Sequence, residues 1–216
     1  MSSLRVMGTC AIGGQAAGTA AAMCIKYGCD PRDISCRIDE LQQKLLKDDC
    51  YIPNVHNSDE KDIARTAVVT ATSALNGFDA ENVISGVARH DGSNESIWVS
   101  DGIGDGGETI SLKLKEACRI SEIRLTFDAD FKHPIKLTMS KVRQEQQRIG
   151  VPPELVKDYT VTLWRDSKKV AEKAVAGNIQ RLNIIGFEPA VCDTITVNVK
   201  NTNGAANARI YEIRAY

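Results

Sequence analysis

"TISLKLKEACRISEIRLTFD", residues 109–128, decides the fold of this chain. Its apolar residues return at every second position, first as Ile110, Leu112 and Leu114 and then as Ile123, Leu125 and Phe127. A period of two puts each set on one face of an extended strand, with the polar residues between them on the other. "YTVTLW" repeats the pattern with Tyr159, Val161 and Leu163, and "TITVNVK" repeats it with Ile195, Val197 and Val199. Glycine-, asparagine- and aspartate-rich turns separate the runs, and no helix-length apolar stripe lies between them. That arrangement predicts an antiparallel sandwich rather than a parallel α/β sheet. "DGIGDGGET", starting at Asp101, sits between strands and opens no helix, so it reads as a turn and not as a phosphate loop. The polar segment 133–154, which contains "SKVRQEQQRIGVPPE", is longer than an ordinary connection and reads as either a functional loop or a solvated insertion.

Before residue 65 the pattern is different. From residue 14 to 27 the small residues Ala16, Ala17, Gly18, Ala20, Ala21 and Ala22 suit a helix packed close against another surface, ending before Gly28. A second helix starts at Asp30-Pro31 or is capped by Ser35, and its stripe of Ile38, Leu41 and Leu45 needs a partner surface. "DDCYIPNVHNSDEKD" ends both patterns, so 51–64 reads as a linker. The chain has 216 residues, enough for one β-rich domain of about 150 residues plus an appendage.

A net charge of -1 gives no attraction to phosphates, which argues against nucleic acid as a partner. The apolar run 16–25 is too short to cross a bilayer, and no basic region precedes an apolar core, so neither anchor nor export signal is read. The seven cysteines show no C-x-x-C spacing; they read as free thiols, with a Cys29–Cys50 disulfide as the alternative. No catalytic residues emerge: His56, His90 and His133 are scattered through the linker and loops, with no triad order or paired carboxylates. Trp98 reads as core, while Trp164, beside Arg165 and Asp166, is open to either a core or a stacking role.

The opening stretch "TCAIGGQAAGTAAAMCIKYGC", continued by "DELQQKLLKDDCYIP", resembles the C-terminal flavin-facing segment of bacterial FAD-dependent oxidoreductases. The resemblance implies that residues 1–50 form one wall of an FAD site. Gly13, Gly14, Gln15, Ala16 and Ala17 would be its contacts, with the N–H groups of Gly14, Gln15 and Ala16 at a helix N-terminus aimed at the flavin. The G-x-G-x-x-G turn that holds the ADP half of FAD is not found in these 216 residues. The chain is therefore expected to be non-catalytic alone and to partner the remainder of a flavoprotein. Members of that family are often exported in bacteria; the compartment of this chain stays open.

Residues 65–216 resemble the discoidin-like, galactose-binding-like jelly roll, through "ATSALNGFDAENVISGVARHDGSNESIWVSD", the strands from Thr109, and the closing "ARIYEI". The fold expected is thus mainly β, a jelly-roll β-sandwich preceded by a short two-helix segment. The resemblance implies a calcium site in which Asp91, carbonyls around His90 to Asn94 and Glu212 would be ligands. Ser85 stands where the family often has aspartate, which counts against that site. The alternative function is a carbohydrate-binding module with a glycan as its partner.

Overall fold

The structure is a computed structural model that describes residues 7–90, 96–133, 135–136 and 138–216. It divides into two compact units, Met1–Asp59 and Glu60–Tyr216.

The first unit is helical. Helix α1 spans Met7–Tyr27 and α2 spans Ile38–Lys47, with a 3-10 turn at Pro31–Arg37 between them. Gly28, at φ 61°, ends α1, and the N–H of Cys29 reaches back 3.1 Å to the carbonyl of Cys24, the bond of a Schellman cap. Asp49 does the same for α2 without a glycine: its φ is 62°, and the Cys50 N–H bonds the Leu45 carbonyl at 2.9 Å. Met23, Ile34, Leu41 and Leu45 form a small core, flanked by Ala16, Ala20, Cys50 and Ile52. The α2 stripe therefore packs inside its own unit, except Ile38, which is exposed. The Tyr27 hydroxyl donates to the Glu40 carboxylate at 2.6 Å, fastening α1 to α2. None of the seven cysteines is in a disulfide, so the Cys29–Cys50 bridge is not formed.

The second unit is the sandwich. Its strands are β1 Val68–Ala71, β2 Trp98–Val99, β3 Glu108–Phe127, β4 Val156–Arg165, β5 Lys168–Val175, β6 Leu182–Thr202 and β7 Arg209–Ala215. Every pairing is antiparallel. The order is β2-β7-β3-β6-β4-β5, with β1 also on β3. β3 and β6 run through both layers. The first part of β3 pairs with β1 and with the last part of β6, which continues to β4 and β5. The last part of β3 pairs with the first part of β6 and with β7, which continues to β2. Register shifts at Lys113/Cys118 and Ile120/Glu122 mark the corner where the two strands pass from one layer to the other. The two apolar runs of residues 109–128 are therefore one bent strand rather than two.

All twelve alternating residues named above, from Ile110 to Val199, are buried in one core, joined by Trp98, Ile120, Leu155 and Ile210. Phe127 and Tyr159 meet edge to face across the layers, with centroids 5.1 Å apart. Trp98 is fully buried, and its indole N–H donates to the Ser73 carbonyl at 2.9 Å. Gly107 adopts φ +76°, and a Cβ there would stand 2.6 Å from the Val199 carbonyl oxygen, so only glycine fits this turn.

The stretch expected as a linker, 51–64, is divided between the units. Ile52 packs on the helical core, whereas Asp62 is buried in the sandwich. One Asp62 carboxylate oxygen, Oδ1, accepts the N–H of Ala64, opening the 3-10 turn Ile63–Thr66, and also the N–H of Ala215 at the end of β7.

Candidate functional site

α1 has a single charged residue, Lys26, in 21 residues, and Met23 is its only fully buried side chain. Met7, Ile12 and Ile25 are exposed, and beyond the adjoining residues and the helix's own backbone no atom lies within 4 Å of a Cβ placed on Gly8, Gly13, Gly14 or Gly18. The helix is open, apolar and thinly covered. It is helical from Met7 onward, so Gly13, Gly14, Gln15, Ala16 and Ala17 lie in the second described turn and beyond, where backbone N–H groups are spent on carbonyls one turn back. The expectation that the N–H groups of Gly14, Gln15 and Ala16 form a helix N-terminus is corrected accordingly. As folded here these residues present a small, accessible surface, with their backbone donors inside the helix.

Of the expected calcium ligands, Asp91 and the carbonyls of 91–94 lie outside the described residues. Glu212 is buried on β7, and its Oε2 accepts from Nε of Arg214 at 2.8 Å, with both side chains only 4% exposed. A guanidinium at that distance supplies the positive charge a cation would bring. Among the described residues no group of three or more His, Cys, Asp or Glu side chains has the arrangement of a metal site.

The sandwich carries a constellation that periodicity could not show. Just past β3 stands the buried Asp128, whose carboxylate accepts from Arg209 at 3.2 Å and from the Asp130 N–H at 2.9 Å. Asp130, at φ 55°, turns the chain so that its own carboxylate accepts from His133 Nδ1 at 2.7 Å and from Arg148 at 2.8 Å. Arg148 also reaches Glu154 at 3.0 Å, and these partners, Glu154 first, raise the guanidinium pKa above its ordinary value. Phe131 projects beside this network, half exposed, with the guanidinium of Arg89 4.4 Å from its ring and that of Arg181 4.8 Å from it. Arg181 is fixed by donating to the carbonyls of Phe127 and Ala88. A cavity of ≈ 690 Å³ opens here, walled by Phe131, Ile135, Ile149, Val151 and Pro152, with Asp130, His133 and Arg148 as its polar side. Apolar walls with a few fixed donors and acceptors suit a small polar ligand that has one apolar face.

Of the residues singled out in the sequence, only His133 falls in this cavity. Trp164 lies elsewhere, half-buried, its N–H bonded to Thr196 Oγ1 at 2.9 Å, beside a second groove of ≈ 620 Å³ flanked by Lys113, Lys115 and Asp193. Asp130, Phe131 and Arg148 were missed, although the long polar segment from 133 to 154 was the sign that something other than a simple connection lay there.

The helical end of the chain, residues 1–45, matches the family model described as FAD dependent oxidoreductase. No curated protein sequence matches the chain. The sandwich has well-covered structural neighbours. The lectin domain of lectinolysin, solved with Lewis B antigen, superposes with a TM-score of 0.54 at 15% identity, over 73% of this chain and 96% of the other. A fucose binding module of Streptococcus pneumoniae gives 0.54 at 14%, over 75% and 99%. The family 32 carbohydrate-binding module of Streptococcus pneumoniae EndoD gives 0.54 at 18%, over 72% and 98%. At these identities the likeness establishes the fold. Among the described residues no helix is long and apolar enough to cross a membrane. The chain thus carries, in residues 1–45, a segment similar to the FAD dependent oxidoreductase family, followed by a β-sandwich that shares the fold of these solved modules.

Proposed function

We propose that this chain is the C-terminal part of an FAD-dependent oxidoreductase carrying an appended sandwich, and that it is not catalytic alone. The observation that carries the reading is α1: a 21-residue helix with one charge and one buried side chain, in the segment that matches the flavoprotein family. Such a helix gains stability mainly by packing an apolar face, and little of this one is packed within its own unit. Its cover is the remainder of the flavoprotein. Gly13, Gly14, Gln15, Ala16 and Ala17 form the small-residue surface that lets that partner approach the backbone closely.

The test is whether the purified chain retains flavin. Micromolar binding requires about 8 kcal/mol after the loss of translational freedom, whereas a few hydrogen bonds contribute about 0.5–1.5 kcal/mol each. The chain is expected to be colourless, and a dinucleotide-binding portion of this family joined ahead of Met1 is expected to give a yellow protein. Stoichiometric flavin absorbance in the 216 residues alone overturns the reading.

A second reading, glycan binding by the sandwich, is favoured by the Phe131 cavity. An exposed ring offers a face for the apolar side of a pyranose, and Asp130, His133 and Arg148 supply hydroxyl partners. Titration with fucose, galactose and their oligosaccharides, read by tryptophan-independent calorimetry, tests it. Binding that Phe131→Ala weakens at least tenfold is the expected result, and no heat with any sugar removes the reading.

A further inference from the structure

Cys118 and Cys192 face each other directly across β3 and β6, at the corner where both strands pass between the layers. Directly opposed residues of an antiparallel pair share a face and hold their Cα atoms about 4.5–5.5 Å apart, inside the span a disulfide accepts. Both side chains point inward: Cys192 is fully buried in the core, and Cys118 packs against that same core while remaining partly accessible. Among the described residues no other two thiols stand opposite each other on paired strands.

We propose that this pair is a site of reversible disulfide formation that staples the corner of the sandwich. The accessible member reacts first: the Cys118 thiolate attacks one sulfur of a low-molecular-weight disulfide such as oxidised glutathione, forming a mixed disulfide and releasing one glutathione thiolate. The Cys192 thiolate then attacks the Cys118 sulfur, expelling the second glutathione. In sum, two protein thiols and one oxidised glutathione become one protein disulfide and two reduced glutathiones, with the protein losing two electrons and two protons. Burial holds the Cys192 thiol well up, so the second step is slow at neutral pH and speeds as pH rises.

The experiment incubates the folded full-length chain with oxidised glutathione, blocks remaining thiols by alkylation and maps the tryptic peptides. The expected product joins peptide 116–119 to peptide 182–200 and is returned to two alkylatable thiols by dithiothreitol. The same sample is expected to melt about 10 °C higher than the reduced protein, since the bridge closes a long loop in the unfolded chain. Cys118→Ser and, separately, Cys192→Ala are expected to remove both the linked peptides and the shift. Mapping resolves this pair from any linkage among the cysteines of the helical unit. Cys118 recovered as a thiol, as a stable glutathione adduct or bonded to another cysteine, with Cys192 alkylated only after denaturation, overturns the proposal.

Discussion

Replacing Asp62 by alanine removes an acceptor that two buried backbone donors share. Its Oδ1 takes the Ala64 N–H at 3.2 Å and the Ala215 N–H at 3.0 Å, and the residue is only 4% exposed. In Asp62→Ala both donors lose their partner away from water. A hydrogen bond to a charged group contributes about 1.5–3 kcal/mol, and a lost helix cap costs about 1 kcal/mol. The shared acceptor makes these less than additive, so about 3 kcal/mol of destabilisation is expected. For a unit of this size that lowers the melting temperature by roughly 6–12 °C. Urea unfolding followed by tryptophan fluorescence measures it, because Trp98 and Trp164 both lie in the sandwich. Asp62→Asn keeps an oxygen at the same place and is expected to recover at least half of the loss. A change below about 1 kcal/mol for Asp62→Ala, with an unchanged denaturant slope, refutes the idea that this carboxylate ties the entry of the sandwich to its last strand.

Gly107→Ala is expected to cost roughly 2–4 kcal/mol in the same assay, through its positive φ and the clash with Val199. Burial raises the Cys192 thiol from 9.0 to about 11, so the folded state favours the protonated form. The stability this gives is complete below pH 9 and is lost between pH 9 and 11; melting curves should show that loss in the parent and lack it in Cys192→Ala. The Tyr27 hydrogen bond holds the Glu40 carboxyl below its ordinary 4.5, so its contribution is present above that pH and lost as pH falls through the lowered value. Amide exchange in α1 and α2 should accelerate over that acid range, and less so in Tyr27→Phe. With Glu212 already paired to Arg214, millimolar calcium is expected to leave the melting temperature unchanged; a rise that Asp91→Asn abolishes would restore the calcium site.

The strands were legible because half-burial imposes a period of two, and each alternating residue named from the sequence lies in the core. That residues 108–127 form one strand was not legible. "KEAC" breaks the alternation where a turn would also break it, and only pairing with β6 distinguishes a bulged corner from a turn. Gly8, Gly13 and Gly14 carry no periodicity and weaken a helix, so local pattern shows α1 only from about Gly14, whereas the helix already includes Met7. Asp62 looked like one more polar residue in a charged run because its partner Ala215 is 153 positions away. The cavity beside Phe131 is assembled from residues within 129–135 and 148–153, and the Phe131 ring is flanked by Arg89 and Arg181, all brought together by loops whose course local patterning does not encode.

Because β3 and β6 each serve both layers, neither layer can form without the other. The first turn of a folding sandwich can zip locally at β4 and β5, but the central pairing joins Glu108 to Val199 and Thr126 to Leu182, partners 91 and 56 positions apart in the chain. Closing such loops precedes any return from the core, which makes refolding slow for a chain of this length and leaves the strand edges exposed while it proceeds. The same architecture resists partial opening once complete: a fluctuation that frees one layer must also break the strands of the other. Exchange of the deepest amides in both layers should therefore report a single, common opening event, and newly made protein should be most vulnerable to aggregation before β6 has emerged.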